Sequence, residues 1–160
     1  MVNTCNQHSK NMINQKIFFG LCILTTFTCS AAFQDREYNT WYEKDSVLFD
    51  ITQTAEGNPV MISISQGGYK TANMVISYQS EGQCLSGIQP LEINGDVVPA
   101  EYTCTQHSTY RIEHFIVRDS VKINALLEHL KSDFTAVVQK DIKIWAANIK
   151  SPKYGIAPRF

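Results

Sequence analysis

Residues 91–98 read Leu-Glu-Ile-Asn-Gly-Asp-Val-Val, two apolar-rich triplets around Asn94-Gly95. Asn-Gly tolerates the positive φ that both central positions of a type I′ turn require, and that turn's twist matches the strands it joins. The stretch therefore predicts a tight antiparallel hairpin. With Asn94 and Gly95 as the loop, facing positions sum to 189, which sets Leu91 against Val98 and Pro90 against Pro99. Cys84 and Cys104 sum to 188, one short of direct opposition. A one-residue bulge at the prolines, which cannot donate to a ladder, would supply the correction and let a disulfide pin the far end of the hairpin. The alternative is that the register ends at the prolines and the bridge merely closes a loop.

Outward from this hairpin the apolar spacing is that of strands. Val47, Phe49 and Ile51 alternate with Leu48, Asp50 and Thr52. Val60, Ile62 and Ile64 alternate with Met61, Ser63 and Ser65 before Gly67-Gly68. Met74, Ile76 and Tyr78 alternate with Val75, Ser77 and Gln79 before Glu81-Gly82, and Tyr110, Ile112, His114 and Ile116 with Arg111, Glu113, Phe115 and Val117. Period two between turn residues is the mark of antiparallel sheet. One segment departs from it. Ile123, Leu127, Leu130 and Phe134, with Leu126 beside them, fall on one helical face, and Asp119-Ser120 offers an N-cap. A helix over 121–131 is too short to stand alone and must pack on the sheet. Further strands are expected over 135–139 and 142–147, around Lys140-Asp141. The fold class is α+β, mainly antiparallel sheet in a sandwich-like or roll-like form with one short covering helix.

The first 32 residues belong to something else. They hold Lys10 and Lys16, no Asp or Glu, an apolar run Ile17–Leu24, and the small residues Cys29-Ser30-Ala31-Ala32 before polar Gln34-Asp35. These are the parts of a secretory signal peptide, and the run is shorter than the roughly 20 apolar residues of a membrane span. Cleavage is expected between Ala32 and Phe33, with the true start at Met1 or Met12. Thr26-Phe27-Thr28 ahead of Cys29 is a poor lipoprotein signal, so a lipid anchor at Cys29 is the less favoured branch. The remainder, 33–160, reads as a single exported domain. It keeps only Cys84 and Cys104 of the five cysteines, and one pair in an oxidising compartment points to a disulfide. The chain has no Asn-x-Ser/Thr, which favours a bacterial source.

Composition narrows function by exclusion. A formal charge of −1 and a sequence pI near 6.4 give no electrostatic case for a nucleic-acid partner. The chain lacks Gly-x-Ser-x-Gly, His-Glu-x-x-His, a phosphate loop and Gly-x-Gly-x-x-Gly. The spacing of His107, His114 and His129 brings no metal or catalytic set together, so no cofactor or metal is expected. Tyr38, Trp41 and Tyr42 sit in a polar stretch, and Trp and Tyr supply large contact areas with a polar handle. They are the candidate partner-binding residues. The expected function is a non-enzymatic periplasmic or secreted domain that binds an envelope protein or polymer, as an inhibitor, immunity or accessory protein. The alternatives are a small envelope hydrolase centred on His107 and His114, and a structural subunit of an envelope assembly.

Overall fold

The computed structural model describes residues 37–87 and 89–155. The strands are β1 (Tyr42–Lys44), β2 (Val47–Gln53), β3 (Pro59–Ser65), β4 (Asn73–Glu81), β5 (Leu91–Ile93), β6 (Asp96–Val98), β7 (Glu101–Gln106), β8 (Tyr110–Val117), β9 (Ala136–Val138), β10 (Ile142–Ile144) and β11 (Lys153–Tyr154). The helix α1 spans Ser120–Lys131. The expected signal segment, with Met12, Cys29 and the Ala32–Phe33 junction, lies outside the described residues. The strands form two sheets, β11-β1-β2-β3-β4-β8-β7 and β10-β9-β5-β6. Every pairing is antiparallel except β1 with β11. This is the expected α+β arrangement, mainly antiparallel with one short helix.

The chain changes sheets at its prolines. After β4 it leaves the larger sheet through the 82–90 loop and makes the β5–β6 hairpin in the smaller one. The hairpin has the expected register, Leu91 facing Val98, and its turn residues Asn94 and Gly95 have φ of 53° and 86°. It does not extend to the cysteines. Pro90 and Pro99, which have no N–H to donate, end the ladder, and β7 returns to the larger sheet beside β8. Cys84 and Cys104 are bonded all the same, with Cα atoms 5.9 Å apart, so the bridge ties the 82–90 loop to β7. That is the loop-closing alternative, not the pinned hairpin.

Register decides which residues meet between the layers. Along β4 and β8 the inward pairs are Met74 with Val117, Ile76 with Phe115, Tyr78 with Glu113 and Ser80 with Arg111. The series runs from wholly apolar to charged. At the apolar end α1 sets Ile123, Leu126, Leu127 and Leu130 into the core that Ile62, Ile64 and Ile144 share. Asp119 caps the helix, its Oδ1 accepting from the amides of Val121 and Lys122 at 3.1 and 3.2 Å, so two otherwise unpaired donors are satisfied. Gly67 lies beneath it, where a Cβ would stand 2.5 Å from Leu127 Cδ1. Phe134, expected on the buried face, lies beyond the helix end. Asp133 takes φ of 67°, which turns the chain away, and Phe134 is 59% exposed and stacked on His129.

On β2 the polar set of the alternation faces inward. Leu48, Asp50 and Thr52 lie opposite Ile64, Ile62 and Val60, while Phe49 is buried on the other side of the sheet. Trp41 supplies the apolar bulk that Asp50 and Thr52 lack, and Thr52 Oγ1 donates to the carbonyl of Lys143 at 2.8 Å, joining the two sheets.

Because the Cys84–Cys104 bridge closes a ring around the entire β5–β6 hairpin, replacing both residues by Ser is expected to lower stability by about 2–5 kcal/mol. Denaturant unfolding with and without reductant measures it.

Candidate functional site

Where the inward pairs turn polar, the two sheets part around a cleft of about 800 Å³. Its floor is the charged end of β4 and β8: Tyr78, Arg111, Glu113 and Phe115. The β9–β10 turn and Glu92 of β5 form the facing wall, Leu85, Gln89 and Pro90 close one side, and the β2–β3 loop closes the other.

Arg111 organises this end. Its Nε donates to Glu113 Oε1 at 2.8 Å, and Nη1 donates to the carbonyls of Glu81 and Gln83 at 2.5 and 3.1 Å. Both side chains are largely buried, 14% and 6% exposed, so each charge depends on the other for compensation. Gln106 completes the fastening: its Oε1 accepts from the Cys84 amide at 2.7 Å and its Nε2 donates to the Gly82 carbonyl at 3.2 Å. Thus one guanidinium, one amide and the disulfide hold the rim of the cleft, and the backbone groups of a loop that forms no sheet find partners.

The facing wall is equally fixed. Gln139 and Lys140 have φ of 50° and 75°, a left-handed conformation unusual for two successive non-glycine residues. Gln139 is held there by three bonds: its amide donates to Glu92 O, its Oε1 accepts from Glu92 N, and its Nε2 donates to Pro90 O. Asp141 Oδ2 accepts from the Ala55 amide at 3.0 Å, tying this turn to the β2–β3 loop.

Two phenols lie beside the buried carboxylate. Burial, with the Glu113 charge adding to it, pushes the Tyr78 hydroxyl up to about 12, so it is a neutral donor at physiological pH. Tyr102 is raised by the same causes. Phe115 stacks against Tyr78 with ring centroids 6.0 Å apart and meets Tyr102 at 5.1 Å, giving the floor an aromatic base.

The aromatics singled out from sequence do not share a surface. Tyr38 is 47% exposed, Tyr42 only 6% and Trp41 not at all. Trp41 is core: its Nε1 donates to Trp145 O at 2.8 Å, its amide to Asn148 Oδ1 at 2.7 Å, and its carbonyl accepts from Asn148 Nδ2. Period two could not separate the reading of a ledge from that of an edge strand. The decisive partners, Trp145 and Asn148, lie a hundred residues away.

The histidines also separate. His107 stacks on Tyr110 at the tip of the β7–β8 hairpin, 4.5 Å between ring centroids. His114 lies mid-strand on the outer face of the sheet, its Nδ1 2.8 Å from Ser77 Oγ, and burial lowers its pKa. This cross-strand pair makes no bond to an orienting carboxylate among the described residues and does not line the cleft. His129 Nε2 sits 3.2 Å from the Thr135 carbonyl at the end of the helix. Among the described residues no three His, Cys, Asp or Glu side chains are placed to hold a metal ion, and no helix is long and apolar enough to cross a membrane.

Sequence reasoning passed over Arg111 and Glu113. Their signal was present: two charges in phase with Phe115 and Val117 on one strand. Comparison with protein-family models, curated proteins and solved structures finds no match.

Two variants separate core from rim. Trp41→Ala is expected to cost about 3–5 kcal/mol, whereas Tyr38→Ala stays within about 0.5. Arg111→Met strands Glu113 as a buried, unpaired carboxylate and should cost about 3–5 kcal/mol at neutral pH. Chemical denaturation at pH 7 reads all three.

Proposed function

We propose that this chain is an exported, non-enzymatic binding domain whose cleft between the sheets takes an extended, basic segment of an envelope partner. One observation carries the reading: acidic side chains outnumber basic ones around this single cleft, and three of them have no cationic partner among the described residues. Glu37, Glu101, Glu128 and Asp133 each have a Lys or Arg within ion-pair distance. The cleft gathers Glu56, Glu81, Glu92, Glu113 and Asp141 against only Arg111 and Lys140. Arg111 is taken up by Glu113, and Glu56, Glu81 and Glu92 have no cationic side chain within ion-pair distance among the described residues.

Gathering like charges in a concave site costs stability and raises the local concentration of cations, the arrangement that steers a basic ligand inward. The floor suits such a ligand. An alkyl or guanidinium stem can lie on the Tyr78 and Phe115 rings while the glutamates accept its hydrogen bonds, and the fastened rim keeps the groups in place before binding. Recognition is the chemistry this lining favours, since among the described residues no histidine or cysteine lines the cleft. A hydrolase reading around His107 and His114 has less support, because one lies at a hairpin tip and the other on the outer sheet face.

Calorimetric titration tests it with three probes: a short peptide with Lys at alternate positions, its Glu counterpart and a neutral oligosaccharide. Only the Lys peptide is expected to bind, more weakly as salt rises. Combining Glu81→Gln with Glu92→Gln should weaken it about tenfold, or about 1.4 kcal/mol, while Tyr38→Ala leaves it unchanged. Salt-independent binding of the oligosaccharide, or no binding of any probe, sinks the proposal.

A further inference from the structure

Among the described residues Asp50 is the one carboxylate set wholly inside the protein without a counter-charge. It is 1% exposed. Its Oδ1 accepts from the Thr40 amide at 2.8 Å, and its Oδ2 is buried and accepts no hydrogen bond. Native proteins seldom leave such an atom unpaired, and a charged one is the costliest kind.

Among the described residues its surroundings are uncharged. Ile62 lies opposite on β3, and on the same face Thr52 follows. Trp41, which continues the β1–β2 register to face Asp50, is fully buried. From the smaller sheet come the carbonyls of Lys143 and Trp145, accepting from Thr52 Oγ1 and Trp41 Nε1. Lys143 itself is exposed, its ammonium 5.9 Å from the Trp145 ring. Among the described residues no charged side chain acts on Asp50; the groups that favour its ionised form are the amides of Thr40 and Ile51. The row Trp41–Asp50–Thr52 is therefore the seam where β2 meets β10 and where the segment before β1 is bolted down.

We propose that Asp50 is a proton-dependent latch on this seam. Neutral, it fits the uncharged row and holds Thr40; ionised, it draws water into the row and slackens the segment at Thr40 and Trp41. Burial pushes its carboxyl up to about 7, against 3.8 for an ordinary Asp. The direction follows from proton linkage. The folded state keeps a proton that the opened state gives up near 3.8, so the contribution of Asp50 is complete in acid and disappears as pH rises through about 7. The seam is tight in acid and slack above neutrality. His114 acts in the opposite sense, because burial lowers its pKa and its contribution disappears as pH falls, so the Asp50 effect must be read as a difference between variants. The latch does not depend on what enters the cleft.

Amide hydrogen exchange on the full chain, corrected for the intrinsic pH dependence of exchange, measures it at Thr40 and Trp41 in wild type and in Asp50→Asn. Asn keeps the Oδ1 acceptor and cannot ionise. Wild-type protection is expected to fall by up to about tenfold per pH unit between 5 and 7 and to level off above, with no such slope in Asp50→Asn. In parallel, the carboxyl-carbon resonance of Asp50 in the native wild type should titrate near neutrality. A resonance that titrates near 4, or identical exchange profiles in the two proteins, overturns the proposal. Should Asp50→Asn fail to fold, the wild-type resonance alone decides.

Discussion

The pairing of β4 with β8 is the constraint on which the rest of the molecule depends. It runs without interruption from Met74 facing Val117 to Glu81 facing Tyr110, and it joins strands that an entire hairpin and β7 separate in the chain. Side chains alternate with period two, so a slip of one residue would send Phe115 and Val117 outward and bring His114 and Ile116 into the core. It would also break the Arg111–Glu113 pair from its carbonyls and displace Cys104 from Cys84. The dry end of the core, the charged floor of the cleft and the disulfide all follow from one register.

That register places two chemically opposite environments on a single sheet face. At one end α1 excludes water over Met74 and Val117; at the other, Ser80 and Arg111 open to the cleft. The intervening pair, Tyr78 with Glu113, is the boundary, and the carboxylate there is tolerated because Arg111 arrives from the same strand two residues away. The charge gradient along β8 thus divides the strand: the apolar half gives it its place, and the polar half, held in that place, becomes the preformed floor of the cleft.

Much of this was legible in the residues. Val60–Ile64, Met74–Tyr78 and Tyr110–Val117 carry clean alternation, and Asn94-Gly95 marks a turn whose register the structure reproduces. Asp119 announces the helix start by a mechanism that needs only local geometry. The illegible parts depend on distant partners. β1 and β11 are short because each is completed by the other, and neither has a period to read. On β2 the apolar set Val47, Phe49 and Ile51 suggests an inward face, yet Trp41 allows Asp50 and Thr52 to take it. The cleft draws on β4, β5, β8, the 82–90 loop and two turns, so no single window of sequence contains it.

The ring closed by Cys84 and Cys104 has one more consequence. All of β5 and β6 lies inside it, together with both prolines at which the chain changes sheets. A protease that cut anywhere between the two cysteines would sever the backbone without dividing the molecule. The nicked protein would differ by a single water of hydrolysis, its two pieces still joined through sulfur, and the strands that flank the ring, β4 and β8, would keep their mutual register. The smaller sheet can thus be opened, or its hairpin exchanged for a longer insertion, while the larger one stays assembled.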